Sequence, residues 1–275
     1  MTISETPTAA SGGPIPQADG KIVLQAEKLT KHYGGVHALQ DADFTLYDGE
    51  HVAIVGDNGA GKSTFVKQIT GVERPTSGEI YFDGRLVEFH NPTDAREVGI
   101  EAVFQNLALA DDLDVPSNIF LGREEVYFNL GPFSFLNEKK MLQKSQEALE
   151  RTGIKIPDLK NSLRHMSGGQ RQCVAISRAA SFASKLIIMD EPTAALGVQE
   201  TTQVENIIRN LKRRGIPLIL ISHNLRQVFN LVDKIWVFRR GRIAGMVEAA
   251  KTDGNEVVSL ITGVKTGVHE NASYI

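Results

Sequence analysis

GDNGAGKST, residues 56–64, follows directly on the apolar run HVAIV at residues 51–55. A short apolar run that ends in glycine reads as a buried strand. The residues after it carry the pattern G-x-x-x-x-G-K-[ST], with Gly56, Gly61, Lys62 and Ser63 at its fixed positions. Gly56, Gly59 and Gly61 let backbone N–H groups turn inward and approach phosphate oxygens closely. A helix over residues 62–69 then adds the positive end of its dipole. Lys62 brings a point charge to the β- and γ-phosphates, and Ser63 brings an oxygen for Mg²⁺. The whole stretch of Gly56, Asp57, Asn58, Gly59, Ala60, Gly61, Lys62, Ser63 and Thr64 is therefore expected to cradle nucleotide phosphates.

Such a loop needs a partner carboxylate for the metal, and LIIMDE at residues 186–191 offers one. Four apolar residues put Asp190 and Glu191 at the tip of a buried strand, where an open α/β sheet keeps its ligands. Asp190 is expected to hold Mg²⁺ and Glu191 to polarise an attacking water. An apolar run ending in Asp-Glu is common by itself; its pairing with the glycine loop gives it meaning.

The remaining sequence alternates strand and helix signals. Strands are expected at residues 21–25, 42–46, 51–55, 100–104, 186–189 and 217–222, and near Ile235 and Ile243, with a hairpin turn at Asp83-Gly84. Helices are expected at residues 115–121, 138–152 and 198–213 and after Gly168, with Asn137 capping the second of these and Gly153 ending it. This alternation predicts a largely parallel sheet covered by helices. Residues 106–165 interrupt it with helical pieces and are a candidate inserted lobe.

Composition narrows the classes further. The 275 residues are 41% hydrophobic, enough for one substantial core. Lys+Arg of 30 against Asp+Glu of 33 gives a net charge of -3, which disfavours a globally basic nucleic-acid binder but leaves room for a local basic patch; no nucleic-acid partner is expected. Cys173 is the only cysteine and excludes an intrachain disulfide framework. Residues 1–20 lack a basic start and an apolar core, and are expected to form a disordered tail rather than a signal peptide or anchor. No apolar stretch approaches the roughly 20 residues that span a bilayer.

MSGGQRQ, residues 166–172, resembles the signature motif of ATP-binding cassette (ABC) ATPases, usually led by Leu, and lies between the glycine loop and LIIMDEP as in that family. Smaller motifs agree: Tyr33 upstream of the loop, Gln105 in VFQN and His223 in LILISHN. The resemblance covers about residues 21–248, leaving 249–275 as a C-terminal extension. It implies an α/β P-loop NTPase with a RecA-like core, an antiparallel β-subdomain and an inserted helical subdomain at about 106–165. It further implies that Tyr33 stacks on adenine, that Gln105 senses the γ-phosphate and ligates Mg²⁺ with Ser63 and Asp190, and that His223 acts as the switch histidine. Ser167, Gly168, Gly169 and Gln170 open a helix and form an anion site. In the family this site closes over ATP held by the P-loop of a second cassette, which implies a homodimer.

EPTAALGVQE, residues 191–200, carries Gly197 where most ABC proteins have the D-loop aspartate. With KHYGGVHAL, QNLAL and RAASFASKLIIMDEPTAALG it resembles the ATPases of bacterial monosaccharide importers, in particular the single-cassette fructose-type branch. That resemblance implies an ATP-hydrolysing subunit peripheral to the cytoplasmic face of the inner membrane. Separate membrane permease subunits and, indirectly, a periplasmic sugar-binding protein are its implied partners. An importer ATPase for another small solute such as an amino acid is the alternative, as is a non-transport ABC ATPase. A cassette acting on DNA or in translation would be expected to carry a long coiled-coil insertion or a second cassette, and a noncatalytic regulatory cassette would not need Lys62, Asp190, Glu191 and His223 together.

Overall fold

The five residues of β3, His51–Val55, are all buried, and they form the middle of a six-stranded sheet in a computed structural model that describes residues 20–127, 135–154, 156–194 and 196–264. Apart from Gly20, the expected N-terminal tail lies outside the described residues. The sheet runs in the order β10-β9-β3-β8-β7-β6. Its other members are β6 (Ile100–Val103), β7 (Leu186–Asp190), β8 (Leu218–Ile221), β9 (Lys234–Arg239) and β10 (Arg242–Glu248). β9, β3, β8, β7 and β6 are parallel, and β10 is an antiparallel edge strand on β9. Near-continuous Val, Ile and Leu in β3, β7 and β8 is what a sheet covered on both faces requires. The carboxyl ends of β3, β8, β7 and β6 consequently lie along one edge.

A second, antiparallel sheet has the order β2-β1-β4-β5, from β1 (Ile22–Tyr33), β2 (Val36–Tyr47), β4 (Ser77–Phe82) and β5 (Arg85–Val87). β1 and β2 are longer than their apolar alternation predicts. Their pairing is broken by register shifts that disturb the alternation, and the ladder continues through polar residues as far as Tyr33 and Val36. Asp83 and Gly84 both take positive φ, 55° and 75°, as an Asp-Gly hairpin turn demands. The two sheets meet over Phe44, Phe65 and Phe238, with ring centroids 5.0 Å apart for the first pair and 5.4 Å for the second.

The helices are α1 (Lys62–Ile69), α2 (Pro92–Glu97), α3 (Val115–Ile119), α4 (Glu138–Thr152), α5 (Gly168–Phe182), α6 (Val198–Arg213), α7 (Leu225–Leu231) and α8 (Gly254–Thr262). α4 has the expected ends: Asn137 accepts a hydrogen bond from the Lys140 N–H, and Gly153 is left-handed. α3 and α4 pack on α5. α2, α7 and α8 are too short for their apolar stripe to stand out. α8 lies within the C-terminal stretch, and its Val257 and Leu260 are buried in the main core against β9 and β10. No helix among the described residues is long and apolar enough to cross a membrane.

Candidate functional site

The glycine loop leaves β3 and enters α1. A Cβ added to Gly56, at φ 149°, would lie 2.2 Å from the carbonyl oxygen of Phe238, and one on Gly61, at φ 101°, would lie 2.8 Å from that of Ala38. Only glycine fits at either position. The Ala60 carbonyl accepts the Gly241 N–H at 3.0 Å, tying the loop to the β9–β10 turn. Gly61 caps α1 with no side chain, so the N–H groups of the first turn point toward the loop with no capping oxygen.

Lys62 Nζ donates to the carbonyls of Gly56, at 2.7 Å, and Asp57, at 2.9 Å. Those bonds aim the ammonium into the loop. Burial lowers its pKa from the ordinary 10.5, while the carboxylates of Glu191, Asp190 and Asp57 oppose the shift. Asp190 ends β7 beside Ile221 of β8. Burial first, and the neighbouring Glu191 second, raise its carboxyl above the ordinary 3.8, with Lys62 pulling the other way.

Glu191 sits at φ 51°, a left-handed conformation that costs a non-glycine residue of order 1–3 kcal/mol. Its N–H donates to the Ile221 carbonyl at 2.9 Å, which holds the chain in that turn. Its Oε1 lies 2.8 Å from Nδ1 of His223. The Glu191 side chain is 18% exposed and that of His223 73%, so the carboxylate is sheltered behind an accessible ring.

Gln105 follows β6 and is exposed. The segment beyond it is pinned by Arg178 of α5, whose guanidinium donates to the carbonyls of Leu107 at 2.9 Å and Ala108 at 3.0 Å. Ser63, Gln105 and Asp190 offer hydroxyl, amide and carboxylate oxygens. Among the described residues no group of three or more His, Cys, Asp or Glu could hold a metal by itself. That donor set, with a single carboxylate among its oxygens, fits Mg²⁺, which is held by one or two carboxylates and completes its shell with phosphates and water.

Tyr33 closes the β1–β2 hairpin and is 43% exposed. Its hydroxyl donates to Glu73 Oε2, and Lys67 of α1 pairs with Glu73 Oε1 at 2.8 Å. The Tyr33 side chain is thus braced against the helix that follows the loop. Ser167 caps α5: its hydroxyl accepts the Gln170 N–H at 3.2 Å, and the Gln170 amide oxygen accepts the Ser167 N–H at 2.9 Å. The Gln170 side chain is therefore committed to the cap, while the Ser167 hydroxyl keeps its proton to donate. Gly168 is exposed and Gly169 buried. Among the described residues no hydrogen bond or ion pair joins residues 167–170 to residues 56–64.

The structure thus gathers the glycine loop, Gln105, Asp190, Glu191 and His223 at one sheet edge, and leaves the 167–170 turn on α5. Sequence reasoning missed Glu73, Arg178 and Gln227. Gln227 Oε1 lies 3.0 Å from Thr193 Oγ1 and 3.5 Å from Ser222 Oγ, joining the strand ends that carry Glu191 and His223. Its only signal was Asn224 three residues before it, a helix cap with glutamine at N3. Cys173 is buried, and burial pushes its thiol up to about 11, so it is no nucleophile at neutral pH.

The family profile described as ABC transporter matches residues 39–194. The xylose/arabinose import ATP-binding protein XylG of Sulfolobus acidocaldarius is 42% identical over 245 residues, covering 89% of this chain and 96% of its own. The fructose import ATP-binding protein FrcA of Rhizobium meliloti is 44% identical over 246 residues, covering 88% and 95%. A solved structure of a nucleotide-free ATP-binding cassette from an ABC transporter matches with a TM-score of 0.74 at 27% identity, over 88% of this chain and 95% of its own.

Proposed function

This chain belongs to the ABC transporter family, and we propose that it is the ATP-hydrolysing subunit of an importer that takes up a monosaccharide through separate membrane subunits. The observation that carries the hydrolytic half is the Glu191–His223 contact at 2.8 Å, at the same sheet edge as the glycine loop. The sugar half rests on relatives named for xylose/arabinose and fructose import that match over nearly their whole length. A fructose-like sugar is favoured by the single-cassette resemblance.

In this reading the amides of residues 59–64 and the Lys62 ammonium hold the β- and γ-phosphates, and Tyr33 stacks on adenine. Ser63, Asp190 and Gln105 would hold Mg²⁺, which would supply positive charge beside the phosphate oxygens. Glu191 orients a water in line with the γ-phosphorus and takes its proton as the bond to the leaving ADP breaks. His223 fixes the carboxylate's orientation. Ser167 and Gly169 of a second copy complete the site, so the working unit is a dimer with two nucleotides at its interface. ATP favours the closed dimer, and loss of the γ-phosphate removes contacts made by both chains. The dimer acts at the cytoplasmic face of the membrane, with cargo chosen by the permease and an external binding protein.

Reconstitution with the partner membrane subunits and binding protein tests this. ATPase activity should be stimulated by binding protein loaded with a monosaccharide, fructose being the first trial. If deleting the chain left monosaccharide uptake intact and abolished uptake of an amino acid, the sugar assignment would fail while the family assignment stood.

A further inference from the structure

Glu200 stands at the third position of α6, counted from the capping residue Gly197, which contributes no side-chain cap. A glutamate at this position curls back toward the cap. A Cβ added to Gly197 would lie 2.7 Å from Glu200 Oε2. The same side chain also closes the underside of α5. A Cβ added to Gly169 would lie 2.1 Å from Glu200 Cγ and 2.9 Å from its Cβ, atoms too close to the backbone to swing away.

Neither glycine is required by its backbone. Gly169 is helical and Gly197 has φ -70°, conformations open to any residue, and neither is among the positive-φ positions. At 169 the Glu200 stem fills the space where a side chain would begin, and at 197 the mobile carboxylate end of the same residue lies where one would begin. One turn further along both helices the contact continues, with the Cys173 thiol 3.7 Å from Gln203 Oε1. The first turns of α6 therefore lie directly against the first turns of α5, with Glu200 as the piece that touches both loops.

We propose that Glu200 is a positioning residue that couples the 167–170 turn to the D-loop glycine, so that the two segments move as one body when two chains close on ATP. Its methylenes seat Gly169, and its carboxylate occupies the place beside residue 197 where the family's usual aspartate would bring one. The absence of that aspartate and the presence of Glu200 are then one arrangement. This proposal rests on the reading that residues 167–170 complete the partner's nucleotide site.

The test compares Glu200→Ala, Glu200→Gln, Gly197→Asp and the double variant Gly197→Asp/Glu200→Ala. Readouts are kcat and KM for ATP, thermal stability, and the affinity of the dilute chain for a fluorescent ATP analogue, which reads the glycine loop alone. Glu200→Ala should lose about tenfold in kcat, the scale of a sub-ångström to 1 Å misplacement, with analogue affinity unchanged within about twofold. Glu200→Gln, which keeps the methylenes, should restore most of kcat. Gly197→Asp should lose kcat by crowding Glu200, and the double variant should be no worse than Gly197→Asp alone, a non-additivity expected only of groups in contact. Wild-type kcat in Glu200→Ala, whatever its thermal stability, overturns the proposal, as does additivity in the double variant. Should Glu200→Ala fail to fold, Gly197→Asp with normal kcat overturns it equally. Concentration-independent turnover by a wild-type monomer would instead overturn the shared-site reading beneath it.

Discussion

His223 Nδ1 lies 2.8 Å from Glu191 Oε1, and the two residues come from the ends of the adjacent parallel strands β8 and β7. One carboxylate oxygen is thereby occupied, on a residue held in a left-handed turn. Glu191→Gln keeps the side chain's size and removes the carboxylate proposed as the base. Turnover should fall by about 10²–10⁴-fold, the range of a positioned general base, while equilibrium binding of ATP is retained. His223→Ala should cost less than Glu191→Gln, because the base survives and only its orientation is lost. Steady-state ATPase rates and nucleotide titrations check both, and near-normal hydrolysis by Glu191→Gln would move the base elsewhere.

Much of this edge was legible before any coordinates. The glycine loop, LIIMDE and LILISHN each pair an apolar run with a polar tip, and a parallel sheet brings such tips together whatever the order of its strands. α4 and α6 were legible to the residue because each is long enough for its apolar stripe to repeat. The braces were not. Glu73, Arg178, Glu200 and Gln227 act through contacts with residues distant in sequence or folded back on their own loops; the capping spacings at Glu200 and Gln227 mark a helix start but do not report such a pairing. The long β1–β2 ladder was hidden for a related reason: its register shifts break the alternation by which strands are read.

The glycines of the loop differ in kind, and the difference is measurable. Gly59, at φ 77°, has nothing within 4 Å of an added Cβ, so Gly59→Ala pays only the left-handed backbone cost of about 1–2 kcal/mol. Gly56→Ala meets the Phe238 carbonyl oxygen at 2.2 Å, which forces β9 and the loop apart. Gly56→Ala should therefore destabilise the chain more than Gly59→Ala in chemical denaturation, and should weaken ATP binding more. The reverse order would contradict this packing.

Arg123 Nη2 lies 2.5 Å from Oε1 of Glu101, a pair without hydrogen-bond geometry that joins the stretch after α3 to β6. The Arg123 guanidinium also lies 4.5 Å from the centroid of the Phe182 ring. Glu101 is only 7% exposed, so Arg123→Ala strands a nearly buried carboxylate. The cost should be about 2–3 kcal/mol, below the 3–5 kcal/mol of a fully buried pair because water still reaches the arginine. Adding Glu101→Gln to Arg123→Ala should recover part of the loss, since an amide needs no counter-charge. Denaturation midpoints of the single and double variants test this, and a double variant no more stable than Arg123→Ala would refute it.

His51 supplies a pH dependence unrelated to catalysis. It is fully buried at the start of β3, with its Nε2 3.0 Å from the Ile216 carbonyl and its Nδ1 without a partner among the described residues. The Nε2–H tautomer of the neutral ring satisfies this geometry, and a second proton would add a buried charge. Burial accordingly holds the ring's pKa below its ordinary 6.5; Lys212 pushes the same way, and the Ile216 and Leu231 carbonyls and Asp233 oppose. The unfolded chain takes up this proton as pH falls through 6.5, and the folded chain does so only at lower pH. The contribution to stability is therefore complete above pH 6.5 and is lost as pH falls toward the folded value. The slope is at most about 1.4 kcal/mol per pH unit, that of one proton. His51→Gln removes the titrating ring, so its stability, lower at pH 7 through lost packing, should fall less steeply between pH 6.5 and 5 than that of the native chain. Urea denaturation across that range checks the difference in slope, and parallel curves would show that the ring takes no part.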